Sequence, residues 1–106
     1  MAKCPSKEKY FYTRIRGTGV GPLAYEKALQ RYNAAARRAG GTNGPNGRAA
    51  RRWARQTQCG RGCTRAGYMV IYQIKTEPRF RPLPGRRVEL RGYAGVKAVV
   101  GCRPEE

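Results

Sequence analysis

Residues 10–16, Tyr-Phe-Tyr-Thr-Arg-Ile-Arg, alternate with period two: Phe11, Thr13 and Ile15 fall on one side, Tyr10, Tyr12, Arg14 and Arg16 on the other. Such alternation predicts a strand with one face on a core and one face turned outward. From Leu23 to Ala39 the period changes. Tyr25, Ala28, Leu29, Tyr32, Ala35, Ala36 and Ala39 form a stripe at helical spacing, with Lys27, Gln30, Arg31, Asn33, Arg37 and Arg38 mostly opposite, which predicts an amphipathic helix. Gly40 and Gly41 end it, and Arg37 and Arg38 sit where the helix dipole favours cations. A shorter helix is expected from about Arg48 to Thr57, with Asn46 as a cap and Ala49, Ala50, Trp53 and Ala54 on its apolar side.

Tyr68 to Lys75 is nearly apolar on both faces and predicts a central strand. Residues 76–87, punctuated by proline, read as an extended loop. Two further strands are expected over Arg87–Tyr93 and Val96–Gly101, separated by a turn at Ala94-Gly95. The expected fold class is therefore α+β: a small antiparallel sheet of about four strands with two helices inserted after the first, and basic loops. At 106 residues the chain suits one domain, residues 1–106. The glycines of Gly17 to Pro22 precede a helix but match no phosphate-loop spacing, so a turn is expected there, with backbone N–H groups open to a phosphate oxygen.

Charge changes this picture more than composition does. Six Lys and 17 Arg face six Glu, with no Asp and no His, for a formal net charge of +17. From Lys27 to Lys75 there are eleven basic residues and no acid. Two such charges about 6 Å apart repel by roughly 0.7 kcal/mol in water. A polyanion relieves that repulsion, and the excess of Arg over Lys suits phosphate, because a planar guanidinium forks onto its oxygens and stacks on bases. Residues 40–67, glycine-rich with six arginines, are expected to be partly folded by such a ligand.

Three groups of contacts to nucleic acid follow. Arg48, Arg51, Arg52, Arg55, Arg61 and Arg65 form a phosphate-binding comb; Arg79, Arg81, Arg86 and Arg87 form a second reach; Arg14 and Arg16, beside Tyr10 and Tyr12, form a contact on the sheet face. Trp53 reads as core rather than as a stacking residue. RNA is the expected partner, with no small-molecule substrate and no membrane. No segment has the apolar length of a span, and Met1 to Tyr12 lacks the hydrophobic stretch of a secretory signal. A protein of the cytoplasm or an organelle interior, not secreted, is the expectation.

The four cysteines, Cys4, Cys59, Cys63 and Cys102, leave three states open. Unligated thiols are expected in a reducing compartment. Zinc is the alternative, since four thiolates suffice for a structural site, although only Cys59 and Cys63 have knuckle spacing. Disulfides are the third. No cofactor is expected beyond that possible zinc. Without His or Asp and with one Ser, the usual nucleophile, base and orienter sets are absent, so the protein is not expected to be an enzyme.

In size, scarcity of acids, interleaved Tyr and Arg, and the stretch Pro-Arg-Phe-Arg-Pro-Leu-Pro-Gly-Arg-Arg at residues 78–87, the chain resembles small basic ribosomal proteins as a class. That resemblance implies a structural component of a ribosomal subunit that stabilises folded ribosomal RNA beside neighbouring ribosomal proteins. The order strand, helix, helix, strands, with Arg-Ala-Ala-Arg-Arg-Trp-Ala-Arg-Gln at 48–56 and Gly-Tyr-Met-Val-Ile-Tyr-Gln-Ile-Lys at 67–75, also resembles RelE/ParE-like toxins. These act on ribosome-bound mRNA or on gyrase, and Arg87, Arg91 and Tyr93 would be the corresponding set. A viral or chromosomal nucleic-acid packaging protein is a third reading. All three bind nucleic acid.

Overall fold

The computed structural model describes residues 3–105 and has the order β1 (Lys7–Val20), α1 (Ala24–Ala39), α2 (Pro45–Gln56), β2 (Cys63–Lys75), β3 (Arg79–Leu83), β4 (Arg87–Pro104). It is α+β, with both helices inserted after the first strand of a four-stranded antiparallel sheet. The centre of that sheet is β4. Its whole length from Arg87 to Val100 pairs with β1, and its other edge is shared end to end by β3, opposite Arg87–Arg91, and β2, opposite Ala94–Pro104.

Helices cover one face only. Val88, Leu90, Ala94, Val96, Ala98 and Val100 of β4 turn toward them, as do Phe11 and Ile15 of β1. One cluster joins Ile15, Leu90 and Ala94 to Ala28, Tyr32 and Ala36 of α1. A second joins Val96, Ala98 and Val100 to Ala50, Ala54 and Cys59, with Phe11 and Trp53 packed edge to face at 6.2 Å. The molecule measures 65 × 25 × 13 Å. Its thin dimension accommodates a sheet and one helical layer, so the opposite face of the sheet is left bare.

Four expectations are corrected. β2 is an edge strand, apolar on both sides because one face packs on α2 while the other joins the bare face. A bulge at Gln73, whose φ is 58°, places Ile74 on the same side as Met69 and Ile71. Ala94-Gly95 is no turn: both residues are buried in the middle of a continuous β4, where a Cβ on Gly95 would lie 1.9 Å from the carbonyl oxygen of Phe11. Residues 76–87 are not one extended loop, since β3 forms within them and returns to β4 through Pro84-Gly85-Arg86. Finally, Gly17 and Gly19 lie inside β1, paired with Leu90 and Val88, and not in a phosphate-facing turn.

Those two glycines let α1 lie directly on β1. A Cβ on Gly17 would come within 2.2 Å of the Ala28 carbonyl oxygen, and one on Gly19 within 1.9 Å of that of Ala24. Both obstacles are backbone, which cannot rotate away. Gly19→Ala is therefore expected to destabilise the protein by about 1–3 kcal/mol through overpacking, as measured by the midpoint of chemical unfolding; an unchanged midpoint would mean that α1 is not seated on β1 in this way.

Candidate nucleic-acid interface

The bare face follows from the register. Every second residue of β1 points away from the helices, which places Tyr10, Tyr12, Arg14 and Arg16 in a row, and opposite them β4 presents Lys97, Gly95, Tyr93 and Arg91 in the same order. Arg79 and Arg81 of β3 pair with Arg91 and Glu89 and share that face. Met69, Ile71 and Ile74 of β2 complete its other end. The face thus has an aromatic and apolar half and an arginine half. They meet at Tyr93.

Contacts on this face interleave rings and cations. Tyr12 packs edge-on to Tyr93 at 5.4 Å between centroids, and the Arg14 guanidinium lies over the Tyr93 ring at 5.9 Å. The Lys97 ammonium lies 5.3 Å from the Tyr10 centroid and 3.3 Å from a Glu8 carboxylate oxygen. Its hydrogen bond to Glu8 raises its pKa against the opposing effect of burial, so it stays cationic. In the arginine half, Glu89 is 4% exposed and is the buried charged residue among those described. It forms ion pairs with Arg91 and, at 3.6 Å, with Arg16. One acid therefore orients two guanidiniums and neutralises only one of them.

Between the end of β2 and the start of β3 the sheet edge is interrupted, and residues 76–78 border a notch beside β4. Its arginine side is a cleft of about 670 Å³ lined by Arg14, Arg79, Arg91, Tyr93, Thr76 and Glu77. Adjoining it, and sharing Thr76 and Tyr93, is a smaller hollow of about 280 Å³ lined by Tyr10, Tyr12, Ile74 and Gly95. Thr76 fixes the wall between them. Its backbone N–H donates to the Tyr93 carbonyl at 2.9 Å, its hydroxyl accepts from the Tyr93 N–H at 3.0 Å, and its own carbonyl accepts from the Tyr32 hydroxyl at 2.9 Å. Tyr93 is thereby tied to the core through a wholly buried tyrosine.

The structure divides the expected contacts. Tyr10, Tyr12, Arg14, Arg16, Arg79 and Arg81 come together on the bare face, whereas Arg48, Arg51, Arg52 and Arg55 lie on α2, Arg61 in the turn after it and Arg65 at the start of β2. Arg48 and Arg51 donate to the carbonyls of Asn43 and Thr42, Arg51 also to the Tyr72 hydroxyl at 3.0 Å. Arg65 donates to the carbonyls of Ala54 and Arg55, closing the C-terminal end of α2. Backbone carbonyls hold these three guanidiniums. Arg52, Arg55 and Arg61 remain exposed on the helix side, while Arg86, at a positive φ, and Arg87, whose Nε donates to the Pro84 carbonyl, shape the turn into β4.

Within residues 40–67, α2 buries Ala50 and Ala54, and Arg65 donates to the carbonyls at its C-terminal end. Asn46 is not the cap of α2 but donates to the Ala39 carbonyl at the end of α1, at 3.0 Å. The cysteines are neither free thiols nor zinc ligands. Cys4 is bonded to Cys63 and Cys59 to Cys102, and no group of metal-ligating side chains occurs among the described residues.

Lys97 and Thr76 were not singled out by sequence, and Arg91 and Tyr93 only through the toxin resemblance. The signal was present in the odd-numbered residues from Arg87 to Arg103, legible only once β4 is known to be one strand. Comparison with family models, with curated proteins and with solved structures gives no match to this chain. No helix among the described residues is long and apolar enough to cross a membrane.

Proposed function

We propose that this protein binds nucleic acid through the bare face of its sheet, in a structural and not a catalytic role. The observation that carries this reading is the row of tyrosines continuing into a row of arginines on a face that no helix covers. Rings offer stacking surface and guanidiniums offer phosphate contacts, and a nucleic acid is the polymer that uses both. The net charge of +17 adds a long-range attraction to the same partner.

The disulfides favour a packaging role over the ribosomal one. Such bonds persist on virion surfaces and in secreted proteins and are rare where thiols are kept reduced. A protein that coats or condenses nucleic acid in a particle fits both the charge and the paired cysteines.

With Arg14, Arg16, Arg79, Arg81, Arg91 and Lys97 engaged, log affinity for a labelled 20-nucleotide RNA is expected to fall against log salt with a slope of about −4. The triple variant Arg14→Gln, Arg79→Gln, Arg81→Gln is expected to reduce that slope by about 2. Arg52→Gln with Arg55→Gln, on the helix side, is expected to change it by less than about 1. Fluorescence anisotropy across a salt series checks both, and equal effects of the two variants would remove the bare face as the interface.

A further inference from the structure

The notch is unlike the rest of the face. At residues 76–78 the edge opens and two hollows of different chemistry adjoin, sharing Tyr93 and Thr76 as their common wall. The larger hollow has three cationic residues, Arg14, Arg79 and Arg91, on three different strands, against one acid in its lining, Glu77, and with Arg91 also paired to Glu89. The smaller is walled by the rings of Tyr10, Tyr12 and Tyr93 and by Ile74. An anion-binding compartment thus lies beside one suited to a flat aromatic group. A nucleotide has that division: a planar base joined through a sugar to a phosphate.

We infer that the notch takes one unstacked nucleotide of a single strand, its base among Tyr10, Tyr12 and Tyr93 and its phosphate among Arg14, Arg79 and Arg91. This selects single-stranded over double-stranded nucleic acid, and it rests on the nucleic-acid reading above.

Three features support it. A paired base is stacked within its duplex and has no free ring face to offer, so a hollow lined by tyrosines beside the arginines is usable by a base that has left the stack. The hollow is preformed, because Thr76 and Tyr32 hold the Tyr93 backbone from behind and Tyr12 supports its ring edge; binding therefore does not have to order it first. A second copy of this chain is a poorer occupant. Rings interleaved with Arg14 and Lys97 would bring like charges together in a two-fold contact.

The test uses the intact, disulfide-bonded protein with a labelled 12-nucleotide oligouridylate and a 12-base-pair RNA duplex at matched salt. Single strand is expected to bind at least about tenfold more tightly than duplex. Tyr93→Leu, which keeps apolar volume but removes the ring, is expected to weaken single-strand binding by about 5- to 100-fold and to leave duplex binding within about twofold. Tyr12→Leu serves as the second variant, and unchanged circular dichroism and unfolding midpoint establish that either variant is folded.

Duplex binding equal to or tighter than single-strand binding would overturn the inference while leaving the nucleic-acid reading intact, as would a Tyr93→Leu protein that binds both alike with undiminished affinity. Absence of any salt-dependent binding to either RNA would overturn both. Sedimentation showing a dimer that Tyr93→Leu dissociates would assign the face to a second copy and overturn the inference as well.

Discussion

Replacing Cys59 and Cys102 together by alanine is expected to lower the free energy of unfolding by about 4 kcal/mol, the loop entropy released when a cross-link closing 43 residues of separation is removed. The full effect is expected because both ends stay ordered when the bond is absent: Cys59 is buried against Val100 and its neighbours, and Cys102 belongs to β4. The Cys4–Cys63 bond closes a longer separation, 59 residues, yet its removal is expected to cost only about 2 kcal/mol. Cys4 lies in the segment before β1, and once released that arm recovers conformational freedom in the folded state too. Denaturant unfolding of the two double variants checks the ranking. A larger loss from the Cys4–Cys63 pair would mean that the arm is packed more firmly than its half-buried cysteine indicates.

Tyr32→Ala is expected to destabilise by about 3–5 kcal/mol, in the range of other large-to-small changes at aromatic core positions. Tyr32 is wholly buried and lies over Gly92, where an added Cβ would come within 2.1 Å of its hydroxyl. Tyr32→Phe isolates the hydroxyl. That variant leaves the Thr76 carbonyl without its protein donor and is expected to cost about 0.5–1.5 kcal/mol. It also has a reading separate from stability: because Thr76 bonds the backbone of Tyr93, the phenylalanine variant is expected to increase amide hydrogen exchange at Thr76 and Tyr93 more than at Ala28 or Ala36. Uniform acceleration at all four positions would leave Tyr32 as a packing residue with no hold on the notch.

Much of this architecture was legible in the sequence. The alternation Phe11, Thr13, Ile15 against Tyr10, Tyr12, Arg14, Arg16 gave both the strand and its outward face, and the tyrosine and alanine stripe gave α1 within one residue of its observed start. What escaped notice depended on neighbours distant along the chain. Ala94-Gly95 has the composition of a turn, and only the proximity of β1 explains why a glycine sits in mid-strand. The apolar character of Tyr68–Lys75 was read as two buried faces, whereas only one of them packs against a helix. Four cysteines permit three pairings, and which one forms depends on where β4 ends relative to the turn after α2.

The arginines were the hardest to apportion, because phosphate and a helix-terminal carbonyl attract the same guanidinium. Arg48, Arg51 and Arg65 satisfy carbonyls, and Lys27 and Arg31 donate to those of Val20 and Thr18 along the outer edge of β1. These bonds, together with two covalent cross-links, offset the repulsion of a chain with so few acids.

The arrangement of the sheet also dictates when the fold can form. Among the described residues, β1, β2 and β3 pair with β4 and with no other strand. While residues 87–104 are still inside the ribosomal exit tunnel, the emerging polypeptide can wind its helices but has no strand on which to assemble a sheet. Completion must wait for residues 87–104 to emerge and insert between partners that until then have only solvent beside them, a long-range step of the kind that folds slowly.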